Sequence, residues 1–130
     1  MFRKRVGVIS LAAAVASIVL SANPAYAAEN TKFTCVADGQ TATLSVTHDL
    51  YKRTIYRIEY KIEDNGRGGG KIWVNDYGTA PTLTYYTGSA IQDGAWHVMR
   101  ETNIYRGGGG LNVKFTLNQA VDSSCGGWVW

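Results

Sequence analysis

The sequence predicts an all-β domain, a small antiparallel β-sandwich of seven or eight strands with one disulfide joining the chain ends. Three observations predict it. Apolar and polar residues alternate along most of the chain after residue 28, the period of a half-buried strand. Glycine-rich and Asp/Asn-containing turn signals interrupt that alternation at short intervals. Cys35 and Cys125 are the only two cysteines, an even pair that reads as a disulfide in an exported chain. Many short strands with regular turns favour two packed sheets. A closed barrel is the alternative that alternation leaves open.

Residues 1–27 read as a signal peptide and residues 28–130 as a single domain. Arg3, Lys4 and Arg5 supply the positive start, and Val6 to Leu20 an apolar run. Ala25-Tyr26-Ala27 supplies the small residues that a signal peptidase needs. A bilayer wants about 20 apolar residues, so this run is short for the membrane anchor that is the other reading. The expected destination is extracellular, with no membrane attachment after cleavage.

The strands follow in order. Lys32 to Ala37 is the first, ended by Asp38-Gly39. Thr41 to His48 alternates with Ala42, Leu44 and Val46 on one face. Thr54 to Glu63 places Tyr56, Ile58, Tyr60 and Ile62 inward, with Arg57, Glu59, Lys61 and Glu63 outward. Lys71 to Tyr77 follows the loop Asp64 to Gly70, and Thr82 to Tyr86 follows Pro81. Ala95 to Tyr105 is longer and alternates less well. Leu111 to Asn118 turns Leu111, Val113, Phe115 and Leu117 inward and Asn112, Lys114 and Thr116 outward. The segment from Cys125 to Trp130 closes the chain, and a disulfide to Cys35 would staple first strand to last segment. In the loop-entropy model a closed loop of this length stabilises by about 4–5 kcal/mol.

Charge excludes one class of partner. The chain carries 13 Lys and Arg against 10 Asp and Glu. Three of the basic residues lie in the leader, which leaves ten against ten. The pI of about 8.9 therefore belongs largely to the leader. Nucleic-acid binding needs a basic surplus to release counterions, and none is expected here.

Two glycine runs stand out, Arg67-Gly68-Gly69-Gly70 and Arg106-Gly107-Gly108-Gly109-Gly110. Both read as tips of β-hairpins. Bare backbone lets N–H groups approach a ligand, and Arg67 or Arg106 could grip an anion. The plainer reading is a turn whose glycines supply φ > 0. A phosphate loop is excluded, because strands rather than a helix follow and no Gly-Lys-Ser/Thr ending is present.

No constellation for catalysis emerges. His48 and His97 are single strand histidines, and Ser123 and Ser124 lack a nucleophile-elbow setting. Glu59 and Glu63 share a face with Arg57 and Lys61, the pattern of a solvated surface. No metal spacing and no cofactor motif is found, so none is expected.

Aromatics carry the stronger signal for binding. Trp73 and Tyr77 share a strand face opposite Ile72 and Val74. Of the adjacent pair Tyr85 and Tyr86, one faces solvent. Trp128 and Trp130 fall on one face of the tail, either displayed or capping the core. Exposed Trp and Tyr suit protein interfaces and also stack on sugars. The residues therefore point to a non-enzymatic module that binds another secreted protein. A carbohydrate- or cell-wall-binding module, and an inhibitor of an exported enzyme, are the alternatives.

Size and layout, a leader followed by one β domain bridged from Cys35 to Cys125, resemble small secreted proteins of actinobacteria. Among these the chain is similar to the adaptor subunit of the umbrella toxin particles of Streptomyces. In that family the adaptor links a lectin-bearing, protease-like subunit to a stalk-forming toxin subunit, feeding an N-terminal segment into a cleft. The resemblance implies an adaptor in a larger secreted, antibacterial toxin assembly, with Ala28 to Thr34 as the inserting segment.

Overall fold

The computed structural model describes residues 28–119 and 121–130. Residues 1–27, the expected signal peptide, lie outside the described residues. Eight strands are formed among them: β1 (Glu29–Ala37), β2 (Gln40–His48), β3 (Thr54–Ile62), β4 (Gly70–Asp76), β5 (Leu83–Thr87), β6 (Trp96–Tyr105), β7 (Leu111–Leu117) and β8 (Ser123–Trp128). They make two antiparallel four-stranded sheets, ordered β1-β2-β3-β6 and β5-β4-β7-β8. The expected sandwich is present, and every expected strand exists within a residue or three of its expected bounds.

Alternation builds the core. Leu44, Val46, Ile58 and Ile62 of one sheet meet Ile72, Val74, Val113, Phe115 and Leu117 of the other, all fully buried. Each such side chain contributes about 1.5–3 kcal/mol on leaving water. One inward assignment fails. Between β2 and β3 the register shifts at Thr47/His48, so that His48 pairs with Ile55 and Thr47 with Arg57. Tyr56 is the extra residue of a bulge, which reverses the alternation. Ile55 enters the core and Tyr56 remains half-buried.

The Cys35–Cys125 disulfide forms. It joins β1 to β8, the edge strands on one side of the sandwich. On the other side β5 and β6 are the edges. The loop between them is pinned by Ala90 N–H to Gly70 O at 2.9 Å and Gly94 N–H to Ile62 O at 2.8 Å. A structural disulfide fits an oxidising environment.

The glycine runs are not hairpin tips. β3 and β4 lie in different sheets, and so do β6 and β7. Both runs are crossovers between layers, and they sit at opposite ends of β4, about 20 Å apart at strand rise. The first is held by amides. Asn65 donates to Gln40 Oε1 at 3.1 Å and to the Asn118 carbonyl at 2.8 Å, and Asn118 donates to the Gly68 carbonyl. The second is folded over Arg106, which is 1% exposed. Its Nε donates to both Asp76 oxygens at 2.8 and 2.9 Å, Nη1 to Lys52 O at 2.8 Å, and Nη2 to Gly109 O at 2.6 Å. The two runs cannot share a ligand.

Candidate binding face

Of the exposed aromatics, Tyr77, Tyr86 and Trp128 gather with half-buried Trp73 on the outer face of the β5-β4-β7-β8 sheet, and the register explains how; Tyr51, Trp96 and Tyr105 lie elsewhere. Trp73 pairs with Tyr86 on one side and with Lys114 on the other, and Lys114 with Gly126. One row across the sheet is thus Tyr86, Trp73, Lys114, Gly126. The next is Thr84, Asn75, Asn112, Trp128. The rings of Trp73 and Tyr86 lie 5.4 Å apart at 41°, a tilted contact. The Lys114 ammonium stands 5.5 Å from the Trp73 centroid, a cation–π geometry.

Tyr77 follows Asn75 on the same face and meets Trp128 with ring centroids 5.6 Å apart. Trp128 lies over Gly110, where a side-chain β-carbon would come 2.7 Å from the indole. The glycine makes room for the ring. Tyr77, Tyr86 and Trp128 are 50–60% exposed, and Trp73 is half-buried between its neighbours.

Gly126 has a different effect. A β-carbon there would sit 2.2 Å from the Val113 carbonyl oxygen, so the position is restricted to glycine by its close approach to β7. With no side chain at 126, a shallow depression of about 390 Å³ opens over β7 and β8, with Asn112, Lys114 and Ser124 around it. Gly126→Ala is expected to force β7 and β8 apart and to lower stability by about 1–3 kcal/mol. Chemical denaturation measures this. An unchanged midpoint would mean that β8 shifts at no cost.

Four candidates leave the site. Tyr85 is 4% exposed, so of the tyrosine pair it is Tyr86 that faces solvent. Burial, reinforced by the charge of Asp76, pushes the Tyr85 hydroxyl above its usual pKa. Arg106 is consumed by its buried ion pair and grips no external anion. Trp130 parts from Trp128 through a bulge at the end of β8. Leu111 accepts from Val129 N–H at 2.7 Å and donates to Trp130 O at 3.1 Å, so two residues oppose one. Trp130 thereby turns to the core side, edge-on to buried His48 at 5.1 Å. Arg67 is exposed, but on the first crossover, away from the Tyr77–Trp128 pair.

The remaining polar candidates have structural roles. His48 binds Thr31 Oγ1 at 2.8 Å through Nε2 and lies 2.7 Å from the Asp49 carbonyl through Nδ1. His97 Nε2 lies 2.8 Å from Asp93. That hydrogen bond, with one from Ala95 N–H, holds the Asp93 carboxyl below its usual range. Ser124 bonds Thr116 at 3.1 Å. On the opposite sheet Arg57 pairs with Glu101 at 2.7 Å and with Glu59 at 3.9 Å, and Glu63 accepts from Thr41 N–H. Among the described residues no group of three or more His, Cys, Asp or Glu could hold a metal ion.

Sequence reasoning missed Asn75, Asn112, Lys114 and Gly126 as parts of one surface. Their outward direction was readable for β7, but which strands stand beside it was not. It also missed Trp96, which is 40% exposed on the opposite sheet, with the Lys32 and Lys61 ammoniums 5.5 and 5.3 Å from its ring. Comparison of the chain with protein-family models, curated proteins and solved structures finds no match.

Proposed function

We propose that this chain is a secreted, non-enzymatic module that binds another secreted protein through the outer face of the β5-β4-β7-β8 sheet, as an adaptor subunit of a larger assembly. The observation that carries this reading is the grouping of Tyr86, Trp73, Tyr77 and Trp128 on one rigid sheet face. Aromatic anchors with few rotatable bonds are what interface hot spots use. Placement on strands, with both flanking crossovers tied down, pre-organises them and reduces the ordering cost of association. The signal peptide and the disulfide support secretion.

The layout resemblance supports the adaptor form. Its implied mode of engagement meets an obstacle: residues 29–34 are paired with β2 in continuous register from Glu29↔His48 to Thr34↔Thr43. Engagement through the aromatic face needs no such segment to be freed.

A carbohydrate-binding role is the second reading. It is favoured by Asn75 and Asn112, whose amides lie between the two aromatic pairs where sugar hydroxyls could bond. Affinity capture from culture supernatant, followed by mass spectrometry, separates the two. The wild-type protein is expected to retain a stoichiometric protein partner. Trp73→Ala with Tyr86→Ala is expected to lose it while keeping the unfolding free energy within about 1 kcal/mol of wild type. Undiminished capture by that variant would remove this face. Retention on insoluble polysaccharide without a protein partner would favour the second reading.

A further inference from the structure

We propose that the partner presents carboxylate side chains to this face, one of which docks in the glycine-floored depression beside Lys114. The inference rests on the protein-binding reading above and adds the chemistry of the partner.

The residues after the leader are neutral in sum, with ten basic and ten acidic side chains. The acidic side chains are unevenly placed over the two outer faces. The β1-β2-β3-β6 face carries Glu59 and Glu101, which share Arg57, beside Lys32 and Lys61 at Trp96, both unpaired among the described residues. The strands of the other sheet turn Lys71 and Lys114 outward, and no Asp or Glu. Lys71 pairs with Thr116 and Trp73 with Lys114, so the two lysines are diagonal neighbours on the β4–β7 ladder. They stand within about one Debye length, 8–10 Å, and add to a single positive potential. Asp122 offsets part of it, because it lines with Lys71 the cavity of about 240 Å³ at the far end of the sheet. Lys114 forms no ion pair among the described residues; it lines the Gly126 depression, and its ammonium leans over Trp73 on the neighbouring β4.

A carboxylate in that depression would draw the Lys114 ammonium across from Trp73 and accept hydrogen bonds from it and from the Ser124 hydroxyl or Asn112 amide. Apolar surface around it would cover Trp73, Tyr86 and Trp128. An aromatic rim around a desolvated ion pair strengthens the pair by excluding water. A neutral glycan would use the rings and amides but leave the lysine without a role. Complementary charge also raises the association rate, in a salt-dependent way.

The test is an NMR titration of the isotope-labelled, disulfide-bonded protein with three defined polymers: polyglutamate, polygalacturonate and dextran. Polyglutamate is expected to shift the amides of Lys114, Gly126 and Gly127, with an affinity that falls as salt rises. Lys114→Glu is expected to weaken it on the order of tenfold or more, and Lys114→Gln by less. Three results would overturn the proposal: no shift on this face with polyglutamate, equal binding by both Lys114 variants, or shifts with polygalacturonate alone. In the supernatant capture, a partner lost by the Trp73 and Tyr86 variant but kept by Lys114→Glu overturns this inference and leaves the binding face standing. A partner kept by both removes the face itself.

Discussion

Arg106→Ala is expected to cost this domain about 3–5 kcal/mol, because it strands the Asp76 carboxylate without its charge partner in the interior. Asp76 is 0% exposed, and its other side-chain contact is the Gly78 N–H at 2.8 Å. The variant also frees the carbonyls of Lys52, Gly109 and Gly110, which now accept from the guanidinium. Total stabilities of small domains run about 5–15 kcal/mol, so the loss is a large fraction of the whole. Arg106→Lys is expected to be nearly as damaging, since an ammonium cannot span the carboxylate and three carbonyls at once. Removing both charges with Asp76→Leu and Arg106→Met should restore part of the loss, because no uncompensated ion remains. Urea denaturation at neutral pH reads all three. A single variant within about 1 kcal/mol of wild type, or a double variant worse than either single, would contradict the assignment.

Replacing Cys35 and Cys125 together by serine is expected to lower stability by about 4–5 kcal/mol, from the loop-closure entropy regained by the unfolded chain. The bridge closes a loop with a sequence separation of 90. Its loss also has a local effect, because β1 and β8 are both edge strands and each has one strand neighbour within its own sheet. Such edges open first when a constraint is removed. Amide hydrogen exchange in the reduced protein should therefore rise most in β1 and β8, ahead of β3, β4 and β7. Since β8 carries Gly126 and Trp128, partner capture should weaken under reduction before the sandwich unfolds. Equal exchange across all strands, or capture that survives until global unfolding, would argue against β8 as part of the site.

The disulfide and the buried Arg106–Asp76 pair differ in how readable they are from sequence. The disulfide was legible because two cysteines permit one pairing. Arg106 was misread because glycines suggested an exposed tip. Nothing near it in sequence shows that Asp76, thirty residues earlier, waits beside it in the core. The same limit explains Tyr85 and Trp130. Alternation states that neighbours face opposite ways, yet it does not state which way is inward at a five-residue strand such as β5. It also fails where a bulge adds a residue, as at Tyr56 and at Val129–Trp130.

What the sequence alone determined was the kind of domain: all-β, seven or eight strands, one staple, and equal numbers of basic and acidic residues after residue 27; that the strands form two sheets rather than a closed barrel came from the structure. These follow from periodicity, turn chemistry and counting, which are local or additive properties of a chain. Only the tertiary structure decided the aromatic face. Trp73 became part of a surface when β5 and β7 took places on either side of β4. Trp128 joined it when Gly110 left room for its ring, and the depression opened because β8 approaches β7 too closely for a side chain at Gly126. Strand order is set by which sheet arrangement buries the shared core best. That depends on all eight strands at once, so no single segment encodes it.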